Sequence, residues 1–116
     1  MAQIFRYPKV NKQIAEGDHT FRVKVHSDAC SVQTIVNIPG DEDPIITNSD
    51  STSITTKENL IKSDSVVVCE AYCPIASEDE VFIDFFLDEE EAPLVSHKKD
   101  RGEDHTHLII FKIKFS

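Results

Sequence analysis

Between Leu108 and Ser116 the chain alternates: Ile109, Phe111, Ile113 and Phe115 occupy one parity, Lys112 and Lys114 the other. Successive side chains of a strand point to opposite faces, so this spelling predicts an apolar ridge turned inward and lysines turned outward. The same two-residue period returns upstream. From His19 to His26, Phe21, Val23 and Val25 oppose Thr20, Arg22 and Lys24. From Ser31 to Ile38, Val32, Thr34, Val36 and Ile38 share a side; from Val66 to Tyr72, Val67, Cys69 and Ala71 do, with Cys73 continuing the line. Val81 to Leu87 is apolar on both parities except at Asp84, as expected of a central strand covered on two faces.

The segments between these strands carry turn chemistry. Glu16-Gly17-Asp18 is a turn, Pro39-Gly40 ends the Ser31–Ile38 strand, and Pro74 closes the Val66–Tyr72 strand. Ile4 to Val10 is interrupted by Pro8, which suits an edge strand or a lead-in segment. Ile45 to Thr47 reads as a short strand, and 94–96 as a brief pairing segment before a charged turn over 98–102. Asn48 to Thr56 holds Ile54 as its one apolar residue and reads as a long loop or an exposed hairpin, its β-branched threonines keeping the hairpin open. Lys57 to Lys62 is the one stretch with the character of a helical turn, and it is too short to stand without packing.

About seven short strands separated by turns spell an all-β fold: an antiparallel β-sandwich, immunoglobulin-like in size and spacing, with a small β-barrel as the alternative. The buried tryptophan typical of immunoglobulin domains is excluded, because the chain has none. At 116 residues, 1–116 reads as a single domain able to bury one core. No apolar run approaches the roughly 20 residues that span a bilayer. The first residues lack the charged-then-apolar order of a secretory signal, so a cytoplasmic location without membrane contact is the expectation.

The formal net charge of −9 adds a constraint. An acidic surface repels phosphate backbones, which argues against nucleic acid as a partner and favours a basic protein. The acids are clustered at Asp41–Asp43, Glu78–Glu80, Asp88–Glu91 and Glu103-Asp104, each beside an apolar strand. Such runs act as solubilising gatekeepers or, with enough oxygens converging, as calcium loops, but no EF-hand spacing is present. Three cysteines cannot all pair within one chain. Cys69 and Cys73 lie about 13 Å apart on an extended strand, too far for a bridge. Reduced thiols are therefore expected, with Cys30–Cys69 as the pairing if the chain is oxidised.

His105 and His107 form the sharpest candidate constellation. At i and i+2 on a strand two imidazoles project to one side, the way many strand-borne zinc or copper sites begin. The alternative is a pair of histidines satisfied by backbone and water at the rim of the core. No nucleophile elbow and no helix-start cysteine is present, so neither an enzyme nor a cofactor is expected. The reading that asks least is a non-enzymatic protein-interaction module. Its acidic turn Asp88, Glu89, Glu90 and Glu91 would steer an unknown, possibly basic, protein partner, and Ser51, Thr52 and Ser53 would offer an edge or loop for contact. The other readings are an acidic inhibitor, immunity protein or nucleic-acid mimic that neutralises a basic enzyme, and a metal- or ligand-binding domain centred on His105 and His107.

Overall fold

The computed structural model describes residues 2–27, 30–40, 42–74, 80–102 and 105–116. Asp41, Glu78, Asp79, Glu103 and Asp104 of the acidic clusters lie outside them. Ten strands are present among the described residues: β1 (Gln3–Arg6), β2 (Val10–Lys12), β3 (Asp18–Val25), β4 (Ser31–Asn37), β5 (Ile45–Thr47), β6 (Asp50–Thr56), β7 (Ser65–Tyr72), β8 (Glu80–Leu87), β9 (Val95–Asp100) and β10 (Thr106–Phe115). One helical turn, α1 (Lys57–Leu60), follows β6 and drives Leu60 into the core, where it is fully buried.

Two sheets pack face to face. One runs β1-β10-β7-β4-β5, with β2 also against β10; the other runs β6-β3-β8-β9. From β3 onward only β4→β5 and β8→β9 stay within a sheet, and every other connection crosses the sandwich. With β3, β4, β7 and β10 named as strands B, C, F and G of an immunoglobulin domain, β6 stands beside B and precedes F, as strand E does. On the other side of B, where an immunoglobulin domain has its first strand, lies β8 with β9 beyond it; both follow F in the chain, so the strand order departs from the immunoglobulin one there. Pairing is antiparallel except at β1 and β2, which both run parallel to β10.

The alternation read from the sequence sets the core. Phe21, Val23, Val32, Thr34, Val36, Val67, Cys69, Ala71, Ile109, Phe111, Ile113 and Phe115 all point inward and are buried. Phe85 meets Phe111 edge-on at 5.2 Å across the two sheets. The apolar outer parity of β8 is covered differently from the expected second layer. Arg22 lies over the Phe86 ring at 4.5 Å, and His26 stacks on Phe82 at 4.0 Å. Side chains from β3 and from the residue that follows it do the work of a layer.

Three expectations are corrected. The 98–102 turn is largely strand: β9 continues to Asp100, with Val95 and His97 inward and Ser96 and Lys98 outward, because its lysines cost nothing on an exposed edge. Within the 48–56 segment, Asp50–Thr56 form β6, an edge strand beside β3, with a bulge at Ile54 where the register shifts between His19 and Thr20. The cysteines are not all free, and the bridge is neither absent nor Cys30–Cys69. Strands β4 and β7 pair with Ser31 opposite Tyr72, so Cys30 and Cys73 are next in register, their Cα atoms 4.2 Å apart, and they form a disulfide. Cys69 faces Thr34 instead and stays a free, buried thiol whose pKa burial pushes up to about 11.

Candidate functional site

The acidic turn after β8 divides into anchored and free members. Asp88 adopts a left-handed backbone (φ 55°), a conformation that aspartate tolerates in turns. Its carboxylate accepts the Thr20 N–H at 2.8 Å and meets His19 Nδ1 at 2.7 Å. His19 Nε2 donates to the Ala15 carbonyl at 2.7 Å. With acceptors at both ring nitrogens, the site suits an imidazolium. Burial alone would lower the His19 pKa, but the bonds to Asp88 and Ala15 and the charges of Asp88 and Asp18 outweigh it and raise it. Arg22 clamps the turn from below, Nε donating to the Asp88 carbonyl at 2.7 Å and Nη2 to the Glu90 carbonyl at 2.9 Å. Glu90 pairs with Lys12 at 2.9 Å. Glu89 and Glu91 remain exposed.

Ser51 to Ser53 lie in β6, at one end of the four-stranded sheet. Ser51 and Ser53 are exposed, while Thr52 is half-covered opposite the inward Phe21. The register puts Ser51 beside Arg22, which is beside Phe86, and Ser53 beside Thr20, which bonds Asp88. The two sequence-predicted patches therefore meet on the outer face of one sheet, separated by β3 alone. At two inter-strand spacings, β6 and β8 are about 10 Å apart. Arg22 is the residue that joins them, and its role was not foreseen. Its outward parity on β3 was legible, but its target was not.

The two candidate metal ligands do not converge. His105 precedes β10, is exposed, and accepts a bond from Arg101 Nη1 at Nδ1, 2.7 Å. His107 is fully buried, with Nε2 donating to the Arg101 carbonyl at 3.1 Å and Nδ1 3.0 Å from His97 Nε2. The strand begins one residue later than the pattern implied, and the two rings are engaged separately, exposed His105 by the Arg101 side chain and buried His107 by His97. No group of three or more histidine, cysteine, aspartate or glutamate residues is arranged to hold a metal among the described residues. The described members of the acidic runs show no such grouping either.

In place of a metal site there is a buried hydrogen-bond chain. The Tyr7 hydroxyl meets His97 Nδ1 at 2.6 Å, His97 Nε2 meets His107 Nδ1, and His107 ends on the Arg101 carbonyl. A carbonyl can only accept. With both rings neutral every role is then fixed, each group donating toward Arg101 and Tyr7 donating first. Burial, followed by the charges of His107 and Lys99, lowers the His97 pKa to about 4. Phe5 packs 4.7 Å from each imidazole centroid. The chain ties the residue just after β1, at the edge of one sheet, to β9, at the edge of the other. Its sequence signal was Val95-x-His97, an inward-parity histidine inside a stretch read as a turn.

Two hollows of about 170 and 250 Å³ open on the other sheet; the first is lined by Arg6, Tyr7 and Lys112, the second by Gln33, Thr47, Glu70 and Tyr72. Neither holds a nucleophile–base pair. No helix among the described residues is long and apolar enough to cross a membrane. No protein-family model, curated protein or solved structure matches the chain.

Proposed function

We propose that this chain is a non-catalytic protein-interaction module that binds a basic partner through the outer face of the β6-β3-β8-β9 sheet. The carrying observation is that β6 is an edge strand, its far side unpaired among the described residues, with Ser51 and Ser53 outward and the acidic turn one strand away. An extended segment of the partner adds to β6 by main-chain hydrogen bonds. Glu89 and Glu91 supply steering, because they are the members of the turn that are exposed and not bound to the fold. Asp88 and Glu90 hold the turn in place. The Cys30–Cys73 bridge supports an oxidising setting over the reducing cytoplasm expected from the sequence.

The test uses a partner recovered on the immobilised chain and measured by biosensor. Glu89→Gln with Glu91→Gln should slow association and flatten its salt dependence, leaving dissociation unchanged. Successive backbone N–H groups of a strand point to opposite edges, so one of Thr52→Pro and Ser53→Pro blocks the free edge and the other breaks the pairing with β3. Whichever variant keeps the wild-type melt should dissociate faster by about tenfold or more. If that folded variant binds as tightly as wild type, β6 is not the contact.

A further inference from the structure

Among the described residues, four of the five large hydrophobic side chains that are exposed, Ile4 (56%), Ile35 (37%), Ile45 (58%) and Tyr72 (47%), lie on one surface, the outer face of the β1-β10-β7-β4-β5 sheet. The register aligns them with less exposed neighbours. Ile45, Ile35, Val68, Ile110 and Arg6 stand directly opposite one another across five strands, all on the outward parity. The next row holds Ile4, Leu108, Glu70, Gln33 and Thr47. Both hollows open on this face, one at each side of the apolar row. Scattered apolar residues need no explanation, but a contiguous apolar row marks a contact surface.

Charge on this face is reversed relative to the molecule. The chain carries −9, yet the charged residues on outward strand positions here are Arg6, Lys112, Lys114 and Glu70. Lys9 adds a further cation at the rim of the first hollow and bonds Asp64 at 2.8 Å. That bond, with the charges of Lys114 and Lys112, lowers the Asp64 pKa, a sign of how much positive potential gathers at this end. The cations sit at the β1–β10 end of the apolar row, and the exposed isoleucines at the β4–β5 end.

We infer that this face is a second docking surface, and that its occupant is an amphipathic helix of an acidic partner protein laid across the strands, apolar stripe on Ile45–Ile35–Val68–Ile110 and carboxylates over Arg6 and Lys112. The row crosses three inter-strand gaps, about 14 Å, which roughly ten helical residues cover. A second copy of this chain is disfavoured, because each copy carries −9 and self-docking brings cation-bearing faces together. The surface lies on the outer face of the other sheet from β6, and its Arg6 end is the one farther from the proposed β6 contact, since β5 at the Ile45 end adjoins β6.

The probe is a displayed library of random peptides of about 16 residues, selected on the full chain and counter-selected on an Ile35→Asp variant whose melt is shown to match wild type. If that variant does not fold, Ile45→Asp, at a more exposed position, replaces it. The expected binders carry aliphatic residues at i, i+3 or i+4, and i+7, with carboxylates toward one end. They should lose about tenfold or more in affinity on Ile35→Asp and on Lys112→Glu. Exchanging the peptide carboxylates for lysines should restore binding to the Lys112→Glu variant. The inference is overturned if no acidic amphipathic sequence is enriched, or if the binders ignore both substitutions. A concentration-dependent dimer in sedimentation that Ile35→Asp abolishes also overturns it, since the occupant is then a second copy.

Discussion

His97 is wholly buried between the Tyr7 hydroxyl and His107, and two histidines of opposite habit govern how the fold answers to pH. Burial pushes the His97 pKa down to about 4 in the folded chain, from its ordinary 6.5. Its folded pKa is depressed, so its contribution is complete above about 6.5 and is lost as pH falls toward about 4. The difference corresponds to about 3 kcal/mol. His19 has the opposite sign. Its raised pKa gives stability present below the unfolded value and lost as pH rises through the folded one. Urea melts across pH 4 to 8 should show both limbs. His97→Leu should flatten the acid limb, and His19→Gln the alkaline one. An acid limb that survives His97→Leu unaltered would falsify this assignment.

At the scale of elements, β4 and β7 are joined twice, by a seven-residue ladder and by the Cys30–Cys73 bridge at its end. The bridge closes a loop of sequence separation 43, which on chain-entropy grounds is worth about 4 kcal/mol. Paired Cys30→Ser and Cys73→Ser should therefore lower unfolding free energy by roughly 2–4 kcal/mol while leaving the β-sheet circular dichroism unchanged. Intact mass without reductant should sit two hydrogens below the reduced value, and Cys69 should react with a thiol reagent only after denaturation. The sequence carried each inward parity on β4, β7 and β10 correctly. It did not carry which residue stands opposite which, and that register decides between Cys69 and Cys73 as partner of Cys30. The same gap hid the histidine chain. His107 was legible as inward, but Tyr7 and His97 come from strands distant in the chain, and only pairing brings them beside it. The anchoring of Asp88 was likewise invisible, because an acidic run gives no sign of which carboxylates are already engaged.

Across the whole molecule, the two sheets expose faces of different character, one bounded by the edge strand β6 and an acidic turn, the other apolar with Arg6, Lys112 and Lys114 at its β1–β10 end. The parallel placement of β1 and β2 on β10 bears on something else, the resistance of the fold to tension. A pull applied before Gln3 and after Phe115 drags two parallel neighbours in opposite directions along their length. Their hydrogen bonds are then loaded in shear and must fail together, whereas an antiparallel pair pulled from one end opens a bond at a time. Once the clamp gives way, the segment between Cys30 and Cys73 stays locked until it is reduced. Single-molecule extension should show a shear-type force peak, and reductant should lengthen the released contour by about 150 Å, the reach of those 43 residues. Built this way, the fold resists a pull on its two ends more strongly than a pull that peels one strand from its neighbour.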